Sequence, residues 1–184
     1  MRTVRRSLGL ALLAISGCLV AGAATLQQLS LDDMIAQSTA IVRGKVTGSS
    51  AAVSGPIIYT FYVIQVSEQL KGAAQSRVTI AVPGGTANNL RQTFPGAPQF
   101  NTGDEFVFFL WTGKSGLTQV IGLTQGLFKL STDGSADPIA TRAASSEMMF
   151  ERGTGRRVKD QTLVMNLSDL KAQIASKLGS GGAH

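Results

Sequence analysis

The chain has 184 residues, with 17 Lys and Arg against 11 Asp and Glu, one cysteine and one histidine. Three of those cations, Arg2, Arg5 and Arg6, stand in the first six residues, so from Ala24 onward 14 cations face 11 acids, a net charge of only +3. That balance speaks against the strongly basic face of a dedicated nucleic-acid binder, and a single cysteine rules out an internal disulfide framework.

In chain order, an address comes first. The basic start leads into an uncharged apolar run, residues 8–20, and then into Ala21-Gly22-Ala23, the three-part pattern of a secretory signal peptide. Residues 1–23 are read as signal and 24–184 as one exported domain, long enough to bury a proper core. Two cuts compete. Ile15-Ser16-Gly17-Cys18 resembles a bacterial lipobox, which would make Cys18 a lipidated N-terminus, whereas cleavage after Ala23 would release a chain without cysteine. The expected location is the periplasm or the extracellular space, free or held by a lipid anchor. No later run approaches the ~20 apolar residues of a transmembrane helix. Arg5-Arg6 also hints at a twin-arginine signal, but no cofactor ligand set in the chain requires one.

Short strands closed by one helix follow. Ser30 is placed to cap a helix over 31–37, with Asp32 and Asp33 in the first turn where the helix dipole favours acids. Strands are predicted at 40–46, 57–68, 77–82, 105–111, 117–121 and 127–131 from alternation between turn residues, with 48–55 as a small, flexible stretch. The strand at 57–68 is apolar on both faces for much of its length, and 105–111 is the most hydrophobic of the mature chain. A loop rich in Gly, Pro and Asn spans 83–104, and a polar passage of little periodicity spans 132–155. Finally Ser168 caps a helix of about 167–178, with Leu170, Ile174 and Leu178 on one stripe and Gly179 at the stop. The fold class is all-β: a small OB-like or netrin-like barrel of five to six strands, with a short leading helix and a C-terminal helix, closure hiding the strand edges.

A resemblance runs through these elements. The order Ala40-Ile41-Val42-Arg43-Gly44-Lys45-Val46, Tyr59-Thr60-Phe61, Leu70-Lys71-Gly72, then Phe100 and Gly103-Asp104-Glu105-Phe106-Val107-Phe108-Phe109-Leu110 resembles a family of uncharacterised bacterial exported domains. More distantly it is similar to netrin-like domains and tissue inhibitors of metalloproteinases, which are OB-type barrels. It covers roughly residues 31–130. The inhibitors act through an N-terminal cysteine held by disulfides, and this chain has no such framework. The resemblance therefore implies a fold rather than a mechanism.

The chemistry is narrowed by what is missing. With His184 as the only histidine and Cys18 inside the signal, there is no Ser-His-Asp triad, imidazole base, histidine zinc site or thiolate nucleophile. The adjacent acids Asp32-Asp33 and Asp104-Glu105 are the only couples for a carboxylate-dependent hydrolase, and both read better as structural residues. No cofactor and no catalytic residue is expected. Three features suit binding instead. The 83–103 loop carries Asn89, Arg91, Phe94 and Phe100. The basic run Arg152, Arg156, Arg157 and Lys159 suits anionic lipid heads or polysaccharide. Within the core-like 106–111 segment, Trp111 is the ring placed to be exposed. The leading expectation is a non-enzymatic interaction module of the cell envelope or extracellular space, with a protein or glycan partner. The alternative is a protease inhibitor acting through a barrel-end loop.

Overall fold

The structure is a computed structural model that describes residues 25–180 apart from 133 and 135. The signal reading and Cys18 lie outside the described residues. In chain order the elements are β1 (Thr25–Gln27), α1 (Leu31–Gln37), β2 (Ala40–Ser54), β3 (Ile57–Lys71), β4 (Arg77–Pro83), β5 (Gly85–Ala87), β6 (Leu90–Gln92), β7 (Glu105–Thr112), β8 (Thr118–Val120), β9 (Leu127–Ser131), β10 (Ile139–Arg142), β11 (Met148–Phe150), β12 (Arg157–Val158), β13 (Leu163–Asn166) and α2 (Leu167–Ser180). The class is all-β. The main sheet is antiparallel and runs β13-β10-β9-β7-β2-β3-β4, with β8 paired to the far end of β7.

The barrel of five to six strands is corrected to an open, curled sheet of eight. Its path ends on β13 and on β4. Curling brings β8 against β4, but no ladder joins them. Pro98 and Leu123 stand in the gap with Ala81, Val120 and a small cavity of 80 Å³. Pro98 belongs to neither strand; it stands between them as a spacer and, having no N–H, adds no ladder bond of its own. The curl itself starts in β2, where three register shifts against β3, between Ile41 and Gly48, bend and twist the hairpin.

β7 explains why the sheet has two cores. Phe106, Phe108 and Leu110 point into the concave side and pack with Val42, Val46, Tyr62, Ile64 and Ile80. Val107 and Phe109 point to the convex side and meet Ile41, Phe128, Met34 and Ile35 of α1, and Leu170 and Ile174 of α2. Both faces of β7 are therefore buried, which is why its sequence shows no polar alternation. Between them Phe108, Phe109, Leu110 and Val107 have no exposed surface at all.

The helices are held by local chemistry. Ser30 and Asp33 form the reciprocal capping box of α1, and the Lys71 ammonium donates to the last carbonyls, Ile35 O at 2.6 Å and Ala36 O at 3.0 Å. For α2 two expectations are corrected. Ser168 lies inside the helix rather than capping it, and its N–H and hydroxyl both donate to the Asp137 carboxylate, a remote acid doing the cap's work. Gly179 does not stop the helix, which continues to Ser180. The stretch 48–55 is also corrected, since β2 runs through it to Ser54. The passage 132–155, read as lacking periodicity, supplies β10 to the main sheet and β11 to a small sheet in which β1 pairs β11 in parallel, and the residues after it add β13 to the first and β12 to the second.

Candidate functional site

The segment after β4 builds a recess on the concave side of the sheet. It is not one loop, because β5 and β6 make a two-residue hairpin across the concave side of β2 and β3. Its turn residues Asn88 and Asn89 have φ of 50° and 60°, the left-handed pair that suits a tight hairpin and that asparagine tolerates. Gly85, at φ 138°, lets β5 touch β3: a Cβ there would lie 2.5 Å from the Thr60 hydroxyl oxygen. Gln92 then clamps the hairpin to the β2–β3 turn, its Oε1 accepting from Ile58 N at 2.6 Å and its Nε2 donating to Pro56 O at 3.1 Å. The Thr60 hydroxyl donates to Gly84 O at 2.8 Å.

These contacts frame a cleft of 260 Å³ lined by Thr60, Tyr62, Arg91, Phe94, Pro98 and Gln99, among others. Arg91 is exposed and makes no hydrogen bond or ion pair among the described residues, while Phe94 is half-buried in the same wall. A guanidinium and an aromatic ring lining one cleft can bind a carboxylate or phosphate and stack a planar group. Asn89 sits in the hairpin turn above the cleft rather than in its lining.

Phe100 lies outside the Arg91 cleft, in the core and against a second recess of 330 Å³ that Phe106, Leu127 and Lys129 also line. It is 9 % exposed and packs edge-on against Tyr62, Phe106 and Phe108, with ring centroids 4.9, 5.3 and 5.8 Å away. Trp111 is 47 % exposed on β7, as expected, its ring reaching over Gly113, and it lines no part of this cleft. The basic run is split by the fold. Arg152 pairs with Asp33 at 3.0 Å and Arg156 with Glu151 at 3.4 Å, so half of its charge is already answered locally. Arg157 and Lys159 are exposed and line a separate hollow of 440 Å³ with Glu147 and Asp160, which shares no residue with the Arg91 cleft.

Both acidic couples are engaged in structural contacts. Asp32 binds Lys177 of α2 at 2.7 Å while Asp33 caps α1. Asp104 accepts from Asn101 N and Lys129, each at 3.0 Å, and those bonds hold its carboxyl below the usual aspartate range. Glu105 pairs with Arg43 at 2.7 Å. Among the described residues no group of three or more His, Cys, Asp or Glu is gathered to hold a metal ion, and no helix is long and apolar enough to cross a membrane.

Sequence reasoning missed the buried ion pair of the tail. Arg142 on β10 and Asp160 before β13 meet in a two-bond fork at 2.8 and 2.9 Å, with side chains 5 % and 0 % exposed. Asp160 also accepts from Ser145 N and Gln161 N, and Arg142 donates to Gln161 O. No periodic signal marks either residue, because the pair joins the end of a four-residue strand to an irregular segment 18 residues away. No protein-family model, no curated protein and no solved structure matches the chain.

Proposed function

We propose that the chain is an exported, non-enzymatic interaction module that captures its partner in the cleft beneath the β5–β6 hairpin. The observation that carries this reading is Arg91: a guanidinium unpaired among the described residues that lines one cleft with Phe94, on a hairpin that Gln92 and Thr60 tie to β3 and the β2–β3 turn. A recognition group on a clamped hairpin loses little conformational freedom on binding, which favours affinity. The partner class is an envelope or secreted protein, or a glycan, that presents an anionic or planar group to the Arg91–Phe94 wall. The signal-like residues 1–23 support the exported location, and the engagement of both acidic couples in caps and ion pairs supports the non-enzymatic reading.

The test is a quantitative pull-down from envelope and secreted fractions of the source, with the wild type and the Arg91→Ala/Phe94→Ala variant as baits. A saturable partner whose Kd rises about tenfold or more in the variant supports the site, as expected for loss of one charged and one aromatic contact. A saturable partner held equally by both baits refutes the cleft. A protease as that partner, inhibited in stoichiometric ratio, would make the module an inhibitor.

A further inference from the structure

β2 carries a long free edge that the cleft reading does not use. Its β7 neighbour pairs only Ala40–Lys45, and the last bonds on that side join Val46 to Gly103 N and to Asp104 O. From Gly48 to Ser54 β2 pairs β3 on one side, while its other side forms no backbone hydrogen bond among the described residues. Ser49 to Ser54 are exposed, although the β5–β6 hairpin crosses the concave side of β2 and comes close to Ala51 there. A run of unpaired N–H and C=O groups this long is a template for another strand, and proteins usually blunt it with lysine, proline or a bulge. None is here. No charged residue occurs between Lys45 and Glu68, there is no proline in Gly48–Ser54, and the bulges stop at Gly48. The main sheet's other ends differ, β4 being shielded by β8 and β13 being four residues long.

We infer that two copies of this chain pair through β2, antiparallel and two-fold about Ala51. The exposed edge groups suit an extended strand as the occupant, and the side chains of β2 itself fit across from one another. Pairing Ala51 with the partner's Ala51 sets Ser50 opposite the partner's Ala52, Ser49 opposite the partner's Val53 and Gly48 opposite the partner's Ser54. Small uncharged residues meet small uncharged residues, with no like charges opposed. The registers of β2 with β3 then continue the row. On the convex face Phe61, Ser50, the partner's Ala52 and the partner's Tyr59 lie side by side, and the two-fold repeats the row in reverse. Tyr59 and Phe61 are half-buried and belong to neither core, so the small central residues give their rings a surface to lean on. A ladder this short makes a concentration-dependent dimer rather than an obligate one.

The test is light scattering of the purified chain over a concentration series, with the Ser50→Lys/Ala52→Lys variant beside it. Both positions are exposed, so the variant keeps its fold, and an unchanged Tm verifies it. The inference expects a dimer whose Kd rises about tenfold or more when lysines face lysines across the ladder. Register is read on a Cys18→Ser background. Ala51→Cys places two thiols within disulfide reach, whereas Ser54→Cys leaves them roughly 20 Å apart, so only the former cross-links on oxidation. A chain that stays monomeric throughout, a dimer indifferent to the lysines, or a monomer that adds a foreign peptide to this edge would each overturn it. Arg91→Ala/Phe94→Ala leaves the dimer unchanged, which keeps this outcome separate from that of the cleft.

Discussion

Removing the Asp160 carboxylate is the sharpest test of how the tail is held. In Asp160→Ala, Arg142 loses both fork bonds, 2.8 and 2.9 Å, and keeps only Gln161 O, while Ser145 N loses its acceptor. Among the described residues the Arg142 Nε is already buried without a hydrogen-bond partner. Breaking a buried pair from one side leaves an uncompensated charge and costs about 3–5 kcal/mol. For a chain of this size that lowers Tm by roughly 6–20 °C. Urea unfolding gives the free energy directly, and Arg142→Met/Asp160→Leu should recover most of the loss, because an apolar pair leaves no charge buried. Acid gives a second reading of the same pair. Burial pushes the Asp160 carboxyl up, but the Arg142 bond and the amides of Ser145 and Gln161 outweigh it and hold its pKa below 3.8. A carboxyl depressed on folding stabilises fully above its unfolded value, and that stability is lost as pH falls from 3.8 through the lower folded value. The acid limb of wild type should therefore fall more steeply than that of Asp160→Asn. A loss under about 1 kcal/mol in Asp160→Ala would refute the reasoning, since it would mean that water solvates Arg142 as soon as its partner goes.

Two further substitutions separate core from cleft. Phe100→Ala removes a ring that touches three others and should cost about 3–5 kcal/mol in urea unfolding, where an exposed binding ring would cost almost nothing. Gly85→Ala drives a Cβ to 2.5 Å from the Thr60 hydroxyl at a φ of 138°, so a loss of about 1–3 kcal/mol and weaker partner capture are expected, whereas a neutral result would show that the hairpin floats free of β3.

The strands legible in the sequence are those whose side chains alternate between turn residues: β4, β7, β8 and β9 fall within a residue or two of where pattern places them. β2 was legible only to Val46, because Gly48–Ser54 is a run of small residues without alternation, the composition of a loop, and becomes a strand by pairing residue for residue with β3. β10 to β13 were illegible for a related reason. They are two to four residues long, too short for a period, and are fixed by partners far along the chain, Thr25–Gln27 for β11 and Met165 for Ala140. Arg91 and Phe94 were visible as loop residues of unusual character, but Phe100, of the same character, is drawn into the core by Tyr62 and Phe106. Sequence alone could not separate them.

That separation has a structural consequence for the cleft. Phe100 packs at the heart of the concave core while Phe94, six residues earlier, lines the cleft, and Pro98 between them is buried and also lines the β4–β8 gap. The segment is anchored at both ends, by Gln92 on Ile58 and by Phe100 among the aromatic rings. A chain pinned at both ends loses little further entropy when a ligand orders it. The cleft is thus a product of barrel closure failing where it does: Pro98 fills the gap that a β4–β8 ladder would occupy, and the segment that carries it becomes one wall of the cleft.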